Sequence, residues 1–97
     1  MLYCHRCGLA PEQVLAFADR FFSARGFATH AGQGYHARFT GPLGHVDLHV
    51  ESAGGHGVSV EVATAALGES DLDRRVKRFL SELHRVENPS HRARGAY

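Results

Sequence analysis

Cys4 and Cys7 stand three apart in the run Cys4-His5-Arg6-Cys7-Gly8, and they are the only cysteines in a chain that also carries eight histidines. Two thiolates at that spacing, closed by a glycine, can converge on one point and supply half of a tetrahedral metal site. Zinc accepts two imidazoles as the other half. The question is therefore which histidines the fold carries to the cysteine pair. The same two thiols could instead exchange with a disulfide, with His5 and Arg6 lowering a thiol pKa, although the first helix opens at Pro11, too late for its dipole to help strongly. A third chemistry would use histidines on a polar sheet face for metal binding or proton transfer in a small enzyme.

The elements that position these residues follow from hydrophobic period. Pro11 and Glu12 suit the first turn of a helix, and Val14, Leu15, Phe17, Ala18, Phe21 and Phe22 recur at helical spacing until Gly26 stops it. The period then changes from 3.6 to 2. Phe27, Thr29 and Ala31 form one strand, and Tyr35, Ala37 and Phe39 the next. Val46, Leu48 and Val50 form a third, and Val58, Val60 and Val62 a fourth, with glycine-rich turns between them. Leu2-Tyr3-Cys4 is a short edge strand. After Gly68 the helical period returns in Leu72, Val76, Phe79, Leu80, Leu83 and Val86; Ser70 or Asp71 caps it, and Asn88-Pro89 ends it.

The predicted fold is α+β in two layers: an antiparallel meander of four to five strands with two helices on one face, in the order (β)-α-β-β-β-β-α. Residues 1–88 form one domain, and 89–97 a flexible basic tail. That order resembles, in topology, the helix-on-sheet fold of a TATA-binding-protein repeat, which implies the layering and no function. Locally, Cys4-His5-Arg6-Cys7 between a first strand and a first helix resembles the metal loop of heavy-metal-associated chaperone domains. The resemblance implies Cys4 and Cys7 as thiolate ligands of a soft ion such as Cu(I). This chain lacks that family's methionine two places before the first cysteine, and four strands follow its helix.

Side-chain parity follows from the alternation. Setting Thr40 opposite His45 pairs Arg38 with Asp47 and His36 with His49 on the polar face. Setting Val46 opposite Val62 pairs Asp47 with Glu61 and His49 with Ser59. Setting Ala31 opposite Tyr35 places His30 beside His36. Three histidines in a straight row are awkward for one ion, because the outer two strands lie about 9–10 Å apart. Following chain direction, Cys4, Cys7, His56 and His84 gather at one end of the domain, with His30, His36 and His49 nearby on the other face. The expected metal ligands are Cys4 and Cys7 with His84 or His56; His30, His36 and His49 are secondary candidates.

Composition bounds the rest. At 97 residues and 43% hydrophobic content the chain supports a single modest core. A formal net charge of +1 gives no strong field toward a charged partner. Arg74, Arg75, Lys77 and Arg78 have no aromatics for stacking bases among them, so a solvated helix face is favoured over a nucleic-acid site. No apolar run reaches the length of a membrane span, and no leader pattern opens the chain, so the expected location is the cytoplasm, with reduced thiols. No phosphate loop, nucleophile elbow or metalloprotease helix occurs, and Gly32-Gln33-Gly34 leads into a strand as a hairpin loop. The function expected from sequence is a non-enzymatic metal-binding module, zinc before copper, that builds an interaction or assembly surface, including self-association. The rivals are a thiol-redox or soft-metal carrier protein and a small enzyme using the polar-face histidines.

Overall fold

Two-residue alternation becomes four consecutive antiparallel strands, and a fifth strand from the start of the chain closes beside the last of them. The computed structural model describes residues 1–52, 57–64 and 70–87. Its elements are β1 (Leu2–Cys7), α1 (Pro11–Ser23), β2 (Ala28–Ala31), β3 (His36–Gly41), β4 (Gly44–Ser52), β5 (Val58–Thr64) and α2 (Asp71–Glu87). The sheet order is β1-β5-β4-β3-β2, antiparallel throughout. His56 and the basic tail 89–97 lie outside the described residues.

Local chemistry sets the helix ends. Pro11 opens α1, and the Gln13 side chain accepts the Ala10 N–H at 2.9 Å. Gly26 reverses the chain with φ 86°, a conformation glycine reaches without strain, and the Phe27 N–H bonds back to the Phe22 carbonyl at 3.0 Å. Ser70 caps α2 reciprocally: its hydroxyl accepts the Asp73 N–H at 3.2 Å and donates to the Asp73 carboxylate at 2.8 Å.

The core lies between the helices and one sheet face. Phe39, Val46, Leu48, Val50, Val58, Val60 and Val62 are buried on that face, against Val14, Ala18, Phe21 and Phe22 of α1 and Val76, Phe79, Leu80 and Leu83 of α2. Phe22 joins the layers. Its ring stacks on Phe39 at 4.7 Å and meets Phe79 and Phe27 at 5.3 Å each. Among the described residues the opposite sheet face carries no helix, and there the polar members of each alternation line up.

Parity is as the sequence dictates, but two registers differ from expectation. Thr40 pairs with His45, as anticipated. Ala31 pairs with Ala37 instead of Tyr35, and Val46 with Thr64 instead of Val62, so both hairpins are displaced by two residues. Period 2 forbids a slip of one, because that would expose the valines, and is blind to a slip of two. The physical cause is strand length. The β2–β3 loop takes in Tyr35, where the Gly32 N–H bonds to the His36 carbonyl at 2.9 Å, and β5 continues past Val62 to Thr64.

Candidate metal centre

The first strand and the last helix lie side by side and are tied at both ends. In β1 the residues alternate, so Tyr3, His5 and Cys7 face the helices while Leu2, Cys4 and Arg6 face away. Tyr3 meets the first turn of α2: its hydroxyl donates to the buried Asp73 carboxylate at 2.9 Å. Asp73 also accepts from Thr64 Oγ1 at 3.0 Å and from Ser70. Burial alone would raise the Asp73 carboxyl, but the hydroxyls of Ser70, Tyr3 and Thr64, with the N-terminal ammonium, outweigh it, so its pKa lies below the usual carboxylate value.

At the other end of the same pair of elements, His5, His84 and Glu87 converge. One ligand atom from each falls within 4.8 Å of the others, and all three side chains are half-buried. The His5 and His84 rings meet edge-on with centroids 6.1 Å apart. The Glu87 carboxylate is held in place by the Gly8 N–H, which donates to Oε1 at 2.5 Å. Cys7 sits next to this group. It is 3% exposed, its sulfur accepts the Leu9 N–H at 3.4 Å, and the Glu87 carboxylate is near enough to raise its thiol pKa, although the sulfur lies outside the 4.8 Å group. Gly57 holds β5 close against this end of β1: its φ is 92°, and a Cβ there would strike the Cys7 carbonyl.

Electrostatics leave His5 unprotonated here. Burial, followed by the neighbouring His84, holds the His5 pKa below the ordinary imidazole value, with Glu87 opposing, so His5 stays neutral and available as a ligand. Burial pushes the Cys7 thiol up, the Leu9 N–H pulls it back, and Glu87 pushes it up again. A divalent ion would reverse that last effect, because a coordinated thiol gives up its proton and the thiolate no longer faces a bare carboxylate. Tetrahedral zinc bonds of about 2.0–2.1 Å to nitrogen place ligand atoms about 3.4 Å apart. The observed cluster is therefore within a short side-chain movement of a coordination sphere.

The residues named from sequence divide between two faces. His84 belongs to this helix-side cluster, and Cys7 adjoins it. Cys4, exposed, lies on the open face, because a step of three in a strand inverts the side; the run read as a metal loop is the strand β1 itself, and the two sulfurs point in opposite directions. His56 lies outside the described residues. His36 and His49 pair across β3 and β4, while His30 pairs in register with Arg38. Sequence reasoning passed over His5 and Glu87, although the signal was present: His5 and Cys7 share a strand face at i, i+2, and His84 and Glu87 share a helix face at i, i+3.

Among the described residues, no helix is long and apolar enough to cross a membrane. The Arg-rich face of α2 is laced internally, with Arg74 on Asp71 at 2.7 Å and Arg78 on Glu82 at 3.2 Å. No protein-family model matches the chain, and no curated protein matches it.

Proposed function

We propose that this chain is a small metal-binding module in which one zinc ion is held by His5, His84, Glu87 and Cys7 and fastens the first strand to the last helix. The observation that carries this reading is the convergence of His5, His84 and Glu87 within 4.8 Å at the junction of β1 and α2. Two imidazoles, a carboxylate and a thiolate suit zinc better than a hard cation, and the set is too poor in sulfur for Cu(I). Four protein ligands leave no coordination position for a substrate, so the role is structural and the module serves interaction or assembly. A reducing compartment such as the cytoplasm keeps the Cys7 thiol free for the ion.

Thiol redox chemistry is less favoured, because the buried Cys7 thiol is pushed up in pKa while its sequence partner Cys4 lies across the sheet. The deciding experiment is elemental mass spectrometry of tag-free protein. After dialysis against metal-free buffer to remove exchangeable ions, one zinc per chain is expected in the wild type and in Cys4→Ser, and much less in His84→Ala and Glu87→Gln. Equal zinc in all four proteins would refute the ligand set.

A further inference from the structure

The open sheet face carries a second set of side chains of metal-ligating type, separate from the helix-side cluster. One cross-strand row reads His36 on β3, His49 on β4, Glu61 on β5 and Cys4 on β1, each directly opposite the next. His36 and His49 are drawn together beyond what their backbones require: the ring centroids are 4.0 Å apart, whereas adjacent strands are separated by about 4.8 Å. The Nδ1 atom of His49 is enclosed and makes no hydrogen bond. Its Nε2 atom has one long contact, 3.5 Å to Glu51. Glu61 is half-buried and has neither an ion pair nor a hydrogen bond among the described residues.

The nearby cation does not satisfy Glu61. Arg38 lies in the adjacent row and is committed to Asp47 through two bonds, Nε to Oδ1 at 2.7 Å and a second nitrogen to Oδ2 at 3.1 Å. Glu61, without a cation among the described residues, is the cross-strand neighbour of His49, whose Nδ1 has no hydrogen-bond partner; the ligand atoms of His36, His49 and Glu61 lie farther apart than those of the helix-side cluster, and a positive ion would draw them together. Together with His30 and Arg38 these groups line a cavity of about 400 Å³ on the open face.

We propose that His36, His49 and Glu61 bind one divalent transition-metal ion of the borderline class, exemplified by zinc. His49 is central, His36 already leans onto it from one side, and the flexible Glu61 side chain closes from the other. This arrangement overcomes the wide separation of the outer strands, because only the middle ligand needs to lie directly beneath the ion. Three protein ligands leave the remaining coordination position open to the cavity, so this ion exchanges with solvent and accepts a small exogenous ligand. Cys4 adjoins Glu61 beyond the cavity and is not one of the ligands.

The test is calorimetric titration of the tag-free full chain with zinc chloride. The expected result is two saturable equivalents in the wild type. His36→Ala/His49→Ala loses one of them, and His84→Ala/Glu87→Gln loses the other. Glu61→Gln weakens the open-face equivalent at least tenfold while circular dichroism and melting temperature stay unchanged. A single equivalent abolished by His36→Ala/His49→Ala sustains this site and refutes the helix-side one. An unchanged stoichiometry in that variant, an equal loss in His30→Ala/His45→Ala, or no zinc binding at all overturns the proposal.

Discussion

Removing the Asp73 carboxylate loosens β1 from α2, and its cost follows from the groups it leaves behind. In Asp73→Ala the hydroxyls of Tyr3 and Thr64, on residues 3% and 8% exposed, lose their acceptor in a place that water does not reach. A buried donor left without a partner costs about 1–3 kcal/mol. The Ser70 hydroxyl is less enclosed and recovers a bond from solvent. Two orphaned donors and a weakened cap therefore set the loss at about 3–5 kcal/mol, against a total of about 5–15 kcal/mol for a domain of this size. Tyr3→Phe removes one donor and leaves the carboxylate with two, for about 1–2 kcal/mol. Urea denaturation followed by circular dichroism measures both, and the double variant should show a coupling of at least about 1 kcal/mol. The pH dependence gives a second check. The folded Asp73 pKa lies below the unfolded value of 3.8, so its contribution is complete above that pH and is lost as the pH falls toward the folded value. A loss under about 1 kcal/mol in Asp73→Ala, or strict additivity with Tyr3→Phe, would refute the reasoning.

Further outcomes concern the helix-side cluster. Free zinc at a hundred times its dissociation constant should stabilise the fold by about 2.7 kcal/mol, raising the melting temperature by roughly 10–20 °C; calorimetric scans of His84→Ala should lack that part of the rise. In metal-free protein, iodoacetamide should modify the exposed Cys4 at least about ten times faster than the buried Cys7, read by peptide mass spectrometry. Comparable rates would mean that β1 frays. Because His5 is depressed below its ordinary 6.5, the unfolded chain takes up a proton first on acidification. The stability of the metal-free protein should therefore fall as the pH drops below that value, and His5→Gln should flatten this limb of the profile.

How much of this was legible in the sequence can be followed residue by residue. The valines at 46, 48, 50, 58, 60 and 62 set strand parity, since one face had to be buried, and Pro11 and Gly26 bounded the first helix. Register was only partly legible, because a displacement of two leaves every side chain on its own face; the length of the loop around Tyr35 decided it. That displacement moved Glu61 opposite His49, so the carboxylate expected beside Asp47 became a neighbour of the histidine pair. The cysteines misled for a different reason. Spacing of three is a metal motif in a loop, whereas in a strand it sends the side chains to opposite faces, and nothing in Cys4-His5-Arg6-Cys7 forbids extended backbone. Chain direction put His84 at the end of the domain where β1 carries His5 and Cys7. Its companions His5 and Glu87 needed the side-by-side arrangement of β1 and α2, which depends on β1 pairing with β5 across the whole meander.

The helix-side centre is tested most directly by cobalt(II), which takes the place of zinc in tetrahedral sites and reports thiolate ligation through charge-transfer absorption in the near ultraviolet. Tag-free, metal-free protein titrated with cobalt should develop tetrahedral visible bands and a thiolate charge-transfer band whose limiting intensity corresponds to one cobalt per chain. Cys7→Ser should abolish the thiolate band, His84→Ala should weaken both features, and Cys4→Ser should leave them unchanged. A thiolate band that survives Cys7→Ser, or one that vanishes in Cys4→Ser, would contradict the assignment of His5, His84, Glu87 and Cys7 as the ligands.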